Sequence, residues 1–170
     1  MPDTTLNMAK RYADRARRWL NEAGFSLMEL IVVIGVIAII MAASAPFFLS
    51  FLRTSALRTG AEEMVTVLHR ARHLAIRDNT SMCVTNDGTR VQYRIATCGG
   101  TVWTGPGTDA AGFVRLVNNI TVTSGQNAVF TYIGTTPPLA GTVTYTVTNP
   151  QDNRTLSVIV SPSGRVSIGP

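Results

Sequence analysis

Residues Gly24-Phe25-Ser26-Leu27-Met28-Glu29-Leu30-Ile31-Val32-Val33 open an apolar run of 21 residues, Phe25 to Ala45, that carries one charge, Glu29. The run has the length and the Leu, Ile and Val content of a membrane-spanning helix. A carboxylate inside such a span costs roughly 2.5–3.5 kcal/mol on insertion scales, so it points to function. Lys10, Arg11, Arg15, Arg17 and Arg18 precede the run and predict a cytoplasmic N-terminus.

Downstream, Pro46 removes one backbone donor and is expected to kink or thin the helix without ending it. Ala61, Met64, Val65, Leu68, Ala71, Ala75 and Ile76 then recur at helical spacing. Glu62, Glu63, His69, Arg70, His73 and Arg77 take the opposite face. One helix from Phe25 to Arg77 is predicted, roughly 80 Å long at about 1.5 Å per residue. Its first half is apolar all round; its second is amphipathic and should pack on a globular domain.

From Thr80 the period changes. Val91, Tyr93 and Ile95 alternate with polar or small residues, as do Val143, Tyr145 and Val147, and Leu156, Val158 and Val160. Shorter strands are expected at 81–85, 113–117, 120–123, 128–132 and 165–168, separated by turn-forming pairs such as Asp87-Gly88, Asn149-Pro150 and Ser163-Gly164. The predicted class is α+β: a long N-terminal helix laid on a small antiparallel β-sheet domain.

A glycine, an apolar residue and then Glu29 at the head of a span resemble a type IV prepilin leader. In that superfamily a membrane aspartyl peptidase cuts after the glycine, and the new N-terminus is methylated. The resemblance implies cleavage between Gly24 and Phe25, with Phe25 the methylated first residue of a 146-residue chain. Glu29 would then stand about one helical turn from a new ammonium group. Pairing with that amine, or with a neighbouring subunit's, makes burial of the carboxylate tolerable in a filament. A rival processing site is Ala43-Ser44-Ala45, small-x-small before Pro46, which would release a soluble β domain. The run is longer than an ordinary signal peptide's apolar region, and proline follows the would-be cut.

The chain divides into a leader (1–24, removed), a membrane or filament-core half-helix (25–52), an amphipathic half-helix (53–79) and a β domain (80–170) outside the cytoplasm. Two cysteines, Cys83 and Cys98, fall in that last segment. An even pair in an oxidising compartment favours a disulfide over two buried thiols. Asp87-Gly88, read as a two-residue hairpin turn, sets Cys83 opposite Gln92, so Cys98 would have to return through the Gly99-Gly100 bend.

The segment Leu68-His69-Arg70-Ala71-Arg72-His73-Leu74-Ala75-Ile76-Arg77 is similar to the helix end of the GspH/FimT family of minor pseudopilins. Cys83, Asp87-Gly88, Cys98, Trp103 and the closing Ser163-Gly164-Arg165-Val166 resemble that family's later elements. The family implies a low-abundance subunit at the tip or initiation complex of a type II secretion pseudopilus. The alternative within it is a FimT-like minor pilin of a type IV pilus, with a role in assembly or DNA uptake. The expected partners are other minor and major pseudopilins or pilins, the prepilin peptidase and the inner-membrane assembly platform. The expected location is the bacterial inner membrane, then the filament tip.

Some family members bind DNA through a C-terminal Gly-Arg-x-Arg stretch. Here Gly164-Arg165-Val166-Ser167 has a serine where the second arginine belongs. Arg165, with Arg154 beside it, is the candidate DNA contact, set against a solvent-facing strand residue. Net charge is +5, of which the leader carries +2 (five bases, three acids), leaving +3 downstream. That is thin for a dedicated nucleic-acid binder. His69 and His73 have metal-ligand spacing, but Arg70, Arg72 and Arg77 crowd them and repel a cation. No metal, cofactor or catalytic constellation is expected, and the chain does not read as an enzyme.

Overall fold

Leu27–Arg77 form one helix of 51 residues, α1, with Glu29 in its first turn, Arg77 in its last and Pro46 inside it. The structure, a computed structural model, describes residues 26–137 and 141–169. Gly24 and Phe25, the expected processing site, lie outside the described residues. The chain divides into two compact units at Pro46, the second beginning at Phe47.

In the first unit every described residue, Ser26 to Pro46, is exposed. Leucine, isoleucine and valine make the helix apolar on all sides, so no face is set aside for water.

In the second unit α1 becomes one-sided. Leu57, Gly60, Ala61, Met64, Val67, Leu68, Ala71, Leu74 and Ala75 are buried, at spacings of three and four. Small residues in this seam let backbone come close: a Cβ on Gly60 would stand 2.7 Å from Cγ1 of Ile120. The buried seam differs from the expected one at two places. Val65 is only partly buried and Ile76 is exposed, while Val67 and Leu74 face inward. Val65 and Ile76 each follow a buried residue, Met64 and Ala75, and lie about 100° around the helix from it, in a stretch apolar enough to offer two seams.

The β segment holds eight strands: β1 Met82–Asp87, β2 Arg90–Ile95, β3 Phe113–Arg115, β4 Thr121–Ser124, β5 Ala128–Phe130, β6 Val143–Thr148, β7 Thr155–Val160 and β8 Val166–Gly169. They form two four-stranded antiparallel sheets, β3-β2-β1-β5 and β4-β6-β7-β8. Alternation explains β6: Val143, Tyr145 and Val147 are buried and the threonines between them are not. The sheets share one core with the α1 seam, built on Val84, Tyr93 and Phe130 from the first and Val122, Tyr145 and Val158 from the second.

Hydrogen bonds tie the sheets together. Val122 N–H donates to the Gly88 carbonyl at 2.8 Å, and Asn86 Nδ2 donates to the Val122 carbonyl at 2.9 Å. The Tyr145 hydroxyl accepts from Ala128 N–H at 2.7 Å and donates to the Val84 carbonyl at 3.1 Å, bridging β5 and β1. Burial pushes that phenol well above its ordinary range, with the Ala128 hydrogen bond partly opposing.

The β1–β2 register is shifted from the expected one. Asp87 pairs with Arg90, so the loop residues are Gly88 and Thr89, and Cys83 faces Arg94. Gly88 has φ +60°, at the first central position of the turn rather than the second. The shift is by two residues, which keeps every side chain on its face.

Candidate functional site

Three places collect the residues singled out by sequence. The first is the head of α1. Glu29 stands in the first helical turn, exposed, as the one charge of the apolar first unit's described residues. An anion there also meets the positive end of the helix dipole. Its expected partner, the Phe25 amine, lies outside the described residues.

The second place is the end of β2. Cys83 and Cys98 are joined in a disulfide, with Cα atoms 5.1 Å apart and a sequence separation of 15. The chain reaches that position by a tight loop after Ile95. Ile95 N–H donates to the Thr101 carbonyl, and Ala96 takes a positive φ of 66°. A Cβ on Gly100 would stand 1.9 Å from the Ile95 carbonyl oxygen, so only glycine fits. Arg94, opposite Cys83, donates from Nη1 to the Gly100 carbonyl at 3.1 Å and braces the same loop.

The third place is the arginine-rich surface of the second unit, where the expected grouping changes. Arg165 is exposed in the turn before β8. Arg154 precedes β7, at the opposite end of that six-residue strand, so the two are roughly 20 Å apart and form no common patch. Arg154 is also engaged, with Nη1 2.9 Å from Thr54 Oγ1 and Nε 3.5 Å from Asp152 Oδ2. Near Arg165 it is Arg72, from α1, that arrives. Its Nη1 donates to the Gly164 carbonyl at 3.3 Å, and its buried Nε has no hydrogen-bond partner among the described residues.

Gly164 is fixed by packing. It has φ +77°, and a Cβ there would stand 2.0 Å from the Gly134 carbonyl oxygen. The glycine before Arg165 therefore has a structural duty whatever the arginine does.

A further cluster at the end of α1 was not foreseen as a unit. The Arg70 guanidinium lies 5.3 Å from the Trp103 ring centroid and 5.9 Å from that of Tyr93, and Nη2 donates to the Pro106 carbonyl. Tyr93 and Trp103 meet edge to face, 5.9 Å between centroids. Burial pushes the Tyr93 phenol up to about 12, against the opposing pull of Arg70. The only sequence signal is an arginine six residues before Ile76 and a distant tryptophan, which no spacing rule connects. Among the described residues, no three His, Cys, Asp or Glu converge in a way that could hold a metal.

Against known proteins, the family model described as Type II transport protein GspH matches residues 60–164. The model described as Prokaryotic N-terminal methylation motif matches residues 19–45. Two crystal structures of the type IV minor pilin FimU from Pseudomonas aeruginosa strain PAO1 share the fold, each with a TM-score of 0.51. One, in space group P65, is 16% identical and covers 66% of this chain and 92% of its own. The other, in P21, is 19% identical and covers 71% of this chain and 92% of its own. No curated protein matches the chain.

Proposed function

We propose that this chain, which belongs to the Type II transport protein GspH family, works at the tip or initiation complex of a type II secretion pseudopilus. Family and fold make it a minor pseudopilin or pilin, built to assemble with other pilin-like subunits. The observation that supports a filament subunit is the first unit, a helix exposed and apolar on every side with one carboxylate in its first turn, and the choice of secretion follows the family match. Such a surface is stable only in lipid or against other subunits, which is how a membrane-stored filament subunit must behave.

In this reading the peptidase cuts the Gly24–Phe25 bond on the cytoplasmic side, and the second unit stands outside the cytoplasm, where its disulfide is stable. The methylated Phe25 amine pairs with Glu29 in the membrane. On entry into the filament the carboxylate exchanges that partner for, or shares it with, a neighbouring subunit. The assembly platform supplies the extraction step. No reaction is assigned to the chain itself.

The likeness to FimU favours a second reading, a minor pilin of a type IV pilus, with DNA uptake as its extension. Arg165 alone is a small electrostatic footprint, because each neutralised phosphate contributes separately to affinity. Duplex DNA is therefore expected to bind weakly and to leave as salt rises.

The test is deletion of the gene, complemented by the full chain, with protein export and pilus-dependent motility scored in parallel. Loss of export with motility intact supports the secretion reading; the reverse assigns the chain to a pilus. N-terminal sequencing of the processed chain should begin at Phe25. A start at Pro46 would overturn both and leave a secreted β domain.

A further inference from the structure

Ile76 is the apolar residue that the α1 seam leaves out. It is 46% exposed near the end of the helix, within a groove of about 510 Å³. Leu74, Trp103 and Pro106 share its walls, and Arg70, His73 and Arg77 line the same groove. The walls are nonpolar, so they favour an apolar side chain from outside. The ionisable groups that line the groove are all basic. The one acid beside them, Asp78, is engaged by Arg77 through two contacts of 2.7 and 2.9 Å. That contact holds the carboxyl below its ordinary range. Arg70 and His73 remain uncompensated by any acid among the described residues lining the groove.

The form of this charge separates two kinds of occupant. A nucleic-acid backbone wants a row of exposed cations that can each meet a phosphate. Here Arg70 is held against two aromatic rings and a carbonyl, and Arg77 is neutralised. A single arginine held over a tryptophan and a tyrosine, in a groove that Ile76 also lines, instead matches the anchors of protein interfaces, where arginine and aromatic residues are enriched.

We propose that this groove is a docking site for a segment of another pilin-like subunit, one that presents an apolar or aromatic side chain beside a carboxylate. The inference rests on the filament-subunit reading and adds to it a second contact surface, on the β-bearing unit. The apolar side chain lies against Ile76, Leu74 and Trp103. The carboxylate meets Arg70 and His73, and the match of charge sets partner choice more than total affinity.

The test is photo-crosslinking in cells that produce the full chain together with the machine's other subunits. p-Benzoylphenylalanine replaces Ile76 or, to report assembly through the first unit, Ile37. An Ile76 adduct is expected with another pilin-like subunit, mapped by mass spectrometry to a segment carrying Asp or Glu beside an apolar residue. Its yield, normalised to the Ile37 adduct, should fall about tenfold in a His73→Glu, Arg77→Glu variant. Both side chains are exposed, so the variant is expected to fold.

Ile37 adducts without an Ile76 adduct would overturn the groove and leave the subunit reading standing. An Ile76 adduct to a segment lacking acids, or one undiminished by the charge reversals, would do the same. Nucleic acid recovered at Ile76 would assign the groove to that ligand instead. Absence of both adducts would remove the subunit reading and this inference with it.

Discussion

Leu30 and Leu68 are the same residue type in one helix, yet Leu30 is 53% exposed and Leu68 is fully buried. The difference lies in what each half of α1 has for company. Around Leu68 a seam of small and medium side chains meets two sheets that bring Tyr93, Phe130 and Tyr145 to it, with Ile120 from just before β4. Around Leu30 the described residues supply no cover, and apolar residues face outward on every side. A helix with a partner in its own chain can be polar on its free face; a helix whose partners are lipid or other subunits cannot. The first half is thus written for assembly and the second for folding.

That contrast should break most visibly in the core. Leu68→Ala removes a buried side chain and leaves a cavity, at a cost of about 2–5 kcal/mol. Leu30→Ala should leave unfolding of the second unit unchanged. Denaturant unfolding of the full chain in detergent, followed by near-ultraviolet circular dichroism, reads both. Equal effects would mean that the two halves are not energetically distinct.

The disulfide ranks next. Closing a loop of 15 residues contributes about 3 kcal/mol on the chain-entropy model. Cys98→Ala, or reduction of the native chain, should lower the second unit's stability by about that amount. A Tm unmoved by reductant would show that the loop is held by Arg94 and Gly100 alone.

Tyr145→Phe strands the Ala128 N–H and the Val84 carbonyl, at about 1–3 kcal/mol. It also sharpens a pH prediction. Burial raises the Tyr93 phenol to about 12 and moves Tyr145 in the same direction, whereas an unfolded tyrosine titrates near 10. A raised folded-state pKa gives stability that is complete below about pH 10 and lost as pH climbs through about 12. Wild type should therefore weaken over that alkaline window, and Tyr145→Phe, already weaker at neutral pH, should lose less across it. Parallel alkaline profiles for the two proteins would contradict the assignment.

The glycines of α1 give the smallest expected effects and the finest comparison. A Cβ on Gly60 meets Ile120 at 2.7 Å, while one on Gly35 meets nothing within 4 Å. Gly60→Ala should lose about 1–3 kcal/mol to overpacking, less about 1 kcal/mol returned by helix propensity. Gly35→Ala should not move the Tm of the second unit. Loss of stability from Gly35→Ala alone would invert the comparison.

The elements themselves were plain in the sequence because each carries its own period. All eight strands overlap the expected segments, although β3 stops at Arg115 with a 3-10 turn at Val117–Asn119 and β5 stops at Phe130, and α1 ends at Arg77 as expected. Details that depend on tertiary contact were not local. The joining of the two sheets rests on Asn86, Gly88 and Tyr145, whose partners lie 17 to 61 residues away. The hairpin register turned on which loop position Gly88 occupies, a choice its neighbours leave open. Arg154 and Arg165 looked close because they flank one strand and its hairpin, but an extended strand holds its ends apart. Arg72 meeting Gly164 joins two motifs 92 residues apart, and no pattern in either announces the other.

The central claim is that the first half of α1 exists for assembly and that Glu29 directs it. Glu29→Val, expressed with the other subunits of the machine, tests this in sheared filament fractions set against the membrane fraction. The account predicts normal or slightly improved membrane insertion, since a charge leaves the span, together with a severalfold fall in the chain recovered from filaments. Recovery of variant and wild type in equal amounts from sheared filaments would contradict it.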